Sequence, residues 1–228
     1  MYLGLDLGTS GLRALLVDDQ GAIIGTSEEP YSVQHPNAGW SEQDPLDWTV
    51  ACDRAVETLR AQVLAAFSEL KAIGVSGHMH GATLLDQTGQ VLRPCMLWND
   101  TRAHKEAQQL DAIPSFRSVS GNIVFPGFTA PKVMWLAEHE PEIYSQIAKV
   151  LLPKDYQNFW LTGEHASDMS DSAGTSWLDL GARGWSDDLL SRSGMREDQM
   201  PRLVEGCEPI GTITSDLAEK WGVSQKVI

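Results

Sequence analysis

Along the first 27 positions, apolar residues alternate with small and polar ones in three short runs. This alternation predicts strands over residues 2–8, 11–18 and 21–27. The last two runs are separated by Asp18-Asp19-Gln20-Gly21, a composition typical of a tight turn. The chain is therefore expected to begin with antiparallel hairpins.

A helical spacing takes over after residue 44, and it predicts a helix over residues 45–66 with one buried face. Asp44 is suited to the N-cap and Pro45 to the first helical position. The apolar positions at this spacing are Trp48, Ala51, Cys52, Ala55, Leu59 and Val63. A short buried strand is then predicted over residues 73–76, and it leads into a loop of glycine and histidine.

Further strand signals flank Asp86-Gln87-Thr88-Gly89, whereas the pattern beyond residue 100 is mainly helical. The order of elements, strands first and then helices alternating with strands, indicates an α/β domain with a mixed sheet flanked by helices. We interpret it as one domain with a helical insertion. The helices are expected near 101–112, 115–120, 129–138, 141–147, 153–162 and 215–222, and strands near 82–86, 90–93, 148–152 and 209–213.

Composition narrows the class of protein. The 228 residues carry 17 basic and 31 acidic side chains, a formal net charge of −14, which argues against a nucleic-acid binder. No apolar run approaches the length of a membrane span, and no basic segment typical of a signal peptide precedes the first strand. Cys52, Cys95 and Cys207 are few and widely spaced, so reduced thiols in the cytoplasm are expected.

The first turn carries candidate phosphate chemistry in Gly4-Leu5-Asp6-Leu7-Gly8-Thr9-Ser10-Gly11-Leu12-Arg13. Successive amides in a glycine turn bind phosphate, and Thr9 and Ser10 add hydroxyl donors. Asp6 could organise Mg²⁺ beside that phosphate. The alternative is an ordinary β-hairpin turn. No Gly-x-x-x-x-Gly-Lys-Ser/Thr sequence is present, so a phosphate site here belongs to another class than the P-loop.

A second candidate site is Ser76-Gly77-His78-Met79-His80-Gly81, which follows a predicted strand. Imidazoles beside glycines suit a polar ligand that the backbone approaches closely. Zinc binding is the poorer reading because no third ligand lies at a usual spacing. The alternative is a tight connection with one surface histidine.

Trp98 offers a flat apolar side chain next to the amide of Asn99, a combination common in sugar pockets. Trp98 could equally belong to the core. Asp100 is expected to cap the helix that follows. Lys132 is expected to be a solvated helix lysine, with a phosphate or carboxylate contact as the alternative.

Two later stretches are expected to be structural. Pro153-Lys154-Asp155-Tyr156 is typical of a helix start. Residues 167–175 are rich in aspartate and serine, which favours tight turns over metal binding.

Taken together, these stretches resemble the FGGY family of carbohydrate kinases, whose actin-like, ribonuclease-H-like ATPase fold is built from two domains around a cleft. Residues 4–11 resemble the first phosphate hairpin of that family, and residues 127–139 fit its N-terminal signature. Within the family, the segments most similar to bacterial xylulokinases are 77–81, 97–100, 151–156 and 167–171. Glycerol kinases differ, with Arg-Glu where this chain has Met79-His80.

The resemblance implies ATP-dependent phosphorylation of D-xylulose to D-xylulose 5-phosphate, with Mg²⁺. It implies that Met79 and His80 contact the ketose, that Trp98 and Asn99 line the same pocket, and that Asp6 helps to place Mg²⁺. The residues it places near the ATP phosphates are Gly8, Thr9, Ser10, Gly11 and Arg13. Many relatives have lysine at the last of these positions, so the charge is kept but the donor geometry changes.

The catalytic base of the family is an aspartate in a Gly-Gly-Asp-Asn type motif at the start of its second domain, which would follow Ile228. Residues 1–228 are therefore expected to be an N-terminal domain, inactive as a kinase by itself and inclined to form a homodimer through an exposed apolar face. Two alternatives remain open. One is a non-catalytic module that binds sugar or nucleotide, and the other is a kinase for gluconate, ribulose or another polyol.

Overall fold

A computed structural model describes residues 1–228. In chain order the strands are β1 (Tyr2–Leu7), β2 (Gly11–Val17), β3 (Ile23–Pro30), β4 (Glu42–Gln43), β5 (Ala72–Gly77), β6 (Thr83–Leu85), β7 (Cys95–Met96), β8 (Lys149–Leu151), β9 (Ala166–Asp168), β10 (Leu178–Asp179), β11 (Gly184–Trp185) and β12 (Arg202–Val204). The helices are α1 (Pro45–Gln62), α2 (Leu64–Phe67), α3 (His104–Asp111), α4 (Pro114–Ser120), α5 (Thr129–His139), α6 (Pro141–Tyr144), α7 (Pro153–Thr162), α8 (Met169–Ser172), α9 (Asp187–Arg192) and α10 (Ser215–Trp221). None of these helices has both the length and the apolarity needed to cross a bilayer.

The main sheet is mixed, as predicted, with the strand order β3-β2-β1-β5. β1 pairs antiparallel with β2 and parallel with β5, so that Asp6 faces Arg13 on one side and Ser76 on the other. Alternate side chains point to opposite faces of a strand. Every leucine of β1 and β2 except Leu15 therefore lies on one buried face, and Asp6 and Arg13 lie on the other, open face.

Helix α1 covers the buried face of the sheet. The Asp44 carboxylate accepts a hydrogen bond from the Leu46 amide at 3.0 Å, which confirms the predicted cap. Trp48, Cys52 and Leu59 are fully buried, as their spacing predicts. The single predicted helix over 45–66 is divided at Val63, where φ of −136° interrupts the helical backbone.

A second core lies beside the first, and it is built from β6, β8 and the helices α3 to α5. It contains 19 buried residues, compared with 25 in the core under the main sheet. Phe116, Trp135 and Trp177 are among its large side chains. The polar loops between the two cores are where the candidate residues lie.

The structure differs from the predicted elements at several places. The strand predicted over 90–93 does not form, and Val91 makes only an isolated bridge to Leu85. No strand forms over 209–213, where Pro209 lacks an amide donor; β12 pairs with β9 instead. The strand predicted as buried, β5, exposes Gly74 and Ser76 because it borders the open face of the sheet. The helix expected from residue 101 begins at His104.

Candidate functional site

The candidate stretches converge where the parallel strands β1 and β5 end. The His78 amide donates to the Leu7 carbonyl at 2.9 Å, so the histidine loop starts beside the glycine turn. From the opposite side, the Trp98 indole Nε1 donates to the Thr9 hydroxyl at 3.2 Å. Three segments that are far apart in sequence therefore form one polar region at the carboxyl edge of the sheet, a usual position for ligand sites in α/β folds.

The glycine turn presents free amide donors. Its closing hydrogen bond runs from the Gly8 amide to the Gly11 carbonyl at 3.0 Å. The amides of Thr9 and Ser10 have no acceptor within the protein. Two consecutive unpaired N–H groups with neighbouring hydroxyls form a concavity suited to a phosphate. The turn therefore fits the phosphate group that the sequence suggests.

The packing of the sheet requires a glycine at residue 11. A Cβ atom at this position would lie 2.8 Å from the carbonyl oxygen of Glu29, so only glycine allows β3 to pack this closely. The glycine requirement at the end of the turn is therefore explained by strand packing.

Two residues that the sequence does not mark hold the turn in place. The buried amide of Gln43 donates to the Thr9 carbonyl at 2.7 Å and accepts from the Trp48 indole at 3.1 Å. The Tyr31 hydroxyl donates to the Gly8 carbonyl at 2.5 Å. Gln43 precedes the helix cap by one position, and neither local pattern nor spacing distinguishes it from an ordinary loop residue.

Asp6 and Arg13 lie on the open face of the sheet, in front of the turn. The Ser76 hydroxyl donates to Asp6 Oδ1 at 3.0 Å, and the rest of the carboxylate is exposed. Arg13 forms an ion pair with Glu28 at 3.4 Å, with both side chains about three-quarters exposed, at 73% and 74%. Exposed carboxylate oxygen is the ligand type that Mg²⁺ prefers, so Asp6 fits a magnesium role.

His80 is held in an unusual backbone conformation, with φ of +65°. Its carbonyl accepts hydrogen bonds from Lys132 Nζ at 2.8 Å and from the Thr129 hydroxyl at 3.1 Å. Its ring Nδ1 lies 3.0 Å from the Gly174 carbonyl, and its ring centroid is 4.5 Å from that of Phe128. The loop is thus fixed from three sides, whereas the neighbouring Met79 side chain is 46% exposed.

The expectation that Lys132 is solvated is wrong. The residue has no exposed surface, because α5 buries most of its circumference in the second core. Burial lowers the pKa of its amine to about 7. Its single hydrogen-bond partner is the His80 carbonyl, so Lys132 supports the loop and forms no ion pair with a carboxylate side chain.

Both histidines of the loop are neutral imidazoles at pH 7. Burial, assisted by the charge of Lys132, lowers the pKa of His78 to about 4 and that of His80 to about 4. His78 is buried edge-on to Trp48, with its ring nitrogens unpaired. A neutral imidazole both donates and accepts hydrogen bonds, which suits sugar hydroxyls better than phosphate.

Trp98 and Asn99 lie at the surface of this region. Trp98 is 44% exposed, so it lies at the surface and is not a core residue. Its carbonyl approaches Gly127 so closely that a Cβ there would lie 2.1 Å away. Phe125 is 54% exposed and packs against Phe128, which contacts the His80 ring, so it adds a second apolar surface near the loop.

The predicted capping role of Asp100 is wrong. Helix α3 has Ala103 at its N-cap, with no side-chain hydrogen bond. The buried Asp100 carboxylate instead pairs with the Arg102 guanidinium at 2.7 Å and accepts from the Ser41 amide at 2.7 Å. It therefore ties the Trp98 segment to β4.

Lys154 lies beneath Gly77, at the other end of the histidine loop, where a Cβ on the glycine would be 3.2 Å from that of Lys154. Burial acts to lower the pKa of Lys154, but the surrounding carboxylates outweigh it and raise the pKa above its usual range. These partners are Asp155 at 2.5 Å, Asp168 at 2.9 Å and Asp171 at 3.3 Å. Because an ammonium group occupies the centre of this cluster, the metal alternative for residues 167–175 finds no support.

Comparisons with known proteins agree with this arrangement. The sequence profile of the N-terminal domain of the FGGY family of carbohydrate kinases matches residues 1–228. The xylulose kinase of Escherichia coli strain K12 is 49% identical over 225 residues, which cover 98% of this chain and 46% of that protein. The xylulose kinase of Klebsiella pneumoniae is 46% identical over 229 residues, which cover 100% of this chain and 47% of that protein. The chain spans about half the length of the curated relatives it matches.

Solved structures give the same picture of the fold. A crystal structure of a xyloylose kinase from Brucella ovis has a TM-score of 0.97 and 58% identity, covering 98% of this chain and 46% of that one. A gluconate kinase from Lactobacillus acidophilus has a TM-score of 0.92 at 24% identity, covering 99% and 46%, a likeness in fold alone. The predicted actin-like, ribonuclease-H-like α/β fold is confirmed.

Proposed function

The chain belongs to the FGGY family of carbohydrate kinases, and from that premise we propose that it supplies the sugar-binding and phosphate-binding residues of an ATP-dependent kinase for D-xylulose. The two curated relatives described above carry the name xylulose kinase, and the solved structure from Brucella ovis carries xyloylose kinase. Their similarity extends over nearly the whole of this chain.

One contact carries the proposal, the hydrogen bond from the Trp98 indole to the Thr9 hydroxyl at 3.2 Å. It joins the wall of the sugar pocket to the turn that presents free amides. A sugar bound against Trp98 would therefore have a hydroxyl close to a phosphate held at residues 8–11. Phosphoryl transfer depends mainly on this kind of positioning.

On the sugar side, Met79 and Trp98 offer apolar surface to the face of the ketose. His80 and Asn99 offer hydrogen bonds to its hydroxyls, and the neutral state of His80 allows it to donate or accept. The fixed backbone of His80 orders the loop before the sugar arrives, which lowers the entropy cost of binding.

On the phosphate side, the proposed contacts are the Thr9 and Ser10 amides within the turn that Gly8 and Gly11 close, with Arg13 in front. Mg²⁺, when bound with ATP, neutralises charge on the transferring phosphate. Asp6 would hold that ion, and Ser76 orients its carboxylate by donating to Oδ1. Asp6 is therefore the residue within these 228 that we propose to act in catalysis, through the Mg²⁺ that it would hold.

Calorimetric titration with D-xylulose tests the sugar assignment. We expect saturable binding that Met79→Ala and Trp98→Ala each weaken. Leu46→Ala is the matched control, because Leu46 is an exposed apolar residue on α1, 57% accessible. Tight binding of gluconate with no binding of D-xylulose would contradict the ketose assignment.

Titration with ATP, with and without Mg²⁺, tests the phosphate side separately. We expect Mg²⁺ to strengthen ATP binding, and Asp6→Asn to remove that effect, whereas Asp47→Asn on the exposed surface of α1 leaves it unchanged. ATP binding that is insensitive to Asp6→Asn would contradict the proposed magnesium role.

Three further expectations belong to this proposal. The 228 residues alone are expected to show no kinase turnover at an enzymatic rate in a coupled assay. A homodimer is expected through an exposed apolar face, and sedimentation measures it. The cytoplasm is the expected compartment, consistent with three free cysteines.

A further inference from the structure

Away from the proposed kinase site, three metal-ligating side chains meet where α3 packs against α5. They are Glu106 on α3 and Glu138 and His139 at the end of α5. One ligand atom from each lies within 4.8 Å of the others. A single ion could therefore contact all three without movement of the backbone.

Glu106 is the unusual member of this group. The residue is 3% exposed, and its buried Oε2 has no hydrogen-bond partner in the protein. Arg102, four residues earlier in the chain, gives its ion pairs to Glu42 and Asp100. A buried carboxylate without a partner is costly, and such groups are normally paired or bound to metal.

His139 is oriented in the way that metal-binding histidines usually are. Its Nδ1 lies 3.0 Å from the Trp135 carbonyl, and its ring stacks on the Trp135 indole at 4.5 Å with an interplanar angle of 4°. An Nδ1–H donated to that carbonyl leaves the lone pair on Nε2 free for a ligand. A backbone carbonyl commonly fixes the tautomer and the ring of a liganding histidine in this manner.

We propose that Glu106, Glu138 and His139 bind a divalent transition-metal ion of the zinc class, with water completing its coordination. One imidazole and two carboxylates suit zinc better than magnesium, which prefers oxygen ligands alone. The ion would link α3 to α5. Because the first turns of α5 carry Thr129 and Lys132, the same helix then joins the metal to the His80 loop.

Zinc titration of the chelator-treated chain tests this site with readouts that do not involve kinase activity. We expect one saturable site per chain by calorimetry and a rise in Tm on adding zinc, because ligands of the native state stabilise it. Glu106→Gln and His139→Gln are each expected to weaken zinc binding at least about tenfold. Glu142→Gln, an exposed glutamate on the adjacent α6, is the matched control and should bind zinc normally.

A second measurement separates metal binding from the effect of the buried charge of Glu106. In the absence of metal, Glu106→Gln should raise Tm, because it removes a buried charge, and it should also remove the gain in Tm that zinc gives. Zinc binding that persists unchanged in both Glu106→Gln and His139→Gln would overturn the proposal, as would the absence of a saturable site. An equal loss in Glu142→Gln would also overturn it.

Discussion

The two buried lysines of this molecule support opposite ends of the same loop and differ in almost every other respect. Lys154 lies beneath Gly77 and is surrounded by three carboxylates. Lys132 donates to the His80 carbonyl and has no carboxylate partner. The pKa of Lys154 is raised above its usual range by those charges, whereas burial lowers the pKa of Lys132 to about 7.

The difference shows that burial alone does not decide the state of a lysine. In both cases, burial disfavours the ammonium form, but opposite charges restore it only at Lys154. One end of the loop is therefore supported by the charged Lys154 and its carboxylates. The other end is supported by the Lys132 amine, which titrates near neutral pH. The two supports should respond differently to mutation and to pH.

The largest effect is expected for Lys154→Met. Methionine keeps most of the side-chain volume, but the change leaves buried Asp155 and its neighbours without a counter-charge. Breaking a buried pair in this way costs about 3–5 kcal/mol, which urea denaturation would measure. Lys105→Met, on an exposed lysine of α3, is the control and should change stability by less than about 0.5 kcal/mol. If Lys154→Met lost no more stability than Lys105→Met, the carboxylates around Lys154 would not depend on its charge.

The next effect concerns pH and Lys132. Its folded pKa of about 7 lies below the unfolded value near 10.4, so between these pH values the unfolded chain binds more protons. Stability from this residue should therefore rise with pH across that window, by up to about 1.4 kcal/mol per pH unit. Denaturation at pH 7, 8 and 9 would show a steeper rise in the parent chain than in Lys132→Met. Equal slopes in both proteins would contradict the lowered pKa.

These two lysines also mark how far the sequence could predict the structure. The first hairpin and the start of α1 agree with the prediction almost residue by residue, because their turn residues, cap and spacing act locally. The turn at 8–11 and the loop at 77–81 were also found from composition, and they meet as parallel strand ends require. The residues that hold the site in place could not be predicted from the sequence. Lys132 lies 52 positions from His80, and only tertiary packing shows that α5 is buried nearly all round.

Asp100 and Gln43 illustrate the same limit. An aspartate ahead of a helix predicts a cap, but the partner that Asp100 takes, the Ser41 amide, is 59 positions away. Gln43 reaches Thr9 across 34 positions. Neither contact leaves a pattern in the local sequence, because each depends on which loops the two cores bring together.

A smaller effect, confined to the Lys132 end of the loop, is expected for Gly174→Ala. A Cβ at residue 174 would lie 2.3 Å from the ring of His80 and would displace it. Overpacking of this kind costs about 1–3 kcal/mol, and calorimetry should also show weaker D-xylulose binding. Gly184→Ala is the control, since its Cβ would have no atom within 4 Å. If Gly174→Ala bound D-xylulose with unchanged affinity, the His80 ring would not be part of the sugar site.

The smallest effect on stability is expected at an exposed pair, which completes the contrast with Lys154. Arg13 pairs with Glu28 at 3.4 Å on the open face of the sheet, with both side chains largely in solvent. Such pairs contribute less than about 1 kcal/mol, so Arg13→Gln should leave the urea midpoint almost unchanged. The same change should nevertheless weaken ATP binding, increasingly so at low salt, because the lost charge lies in front of the phosphate turn. A large loss of stability with unchanged ATP affinity would assign Arg13 to the fold and not to the site.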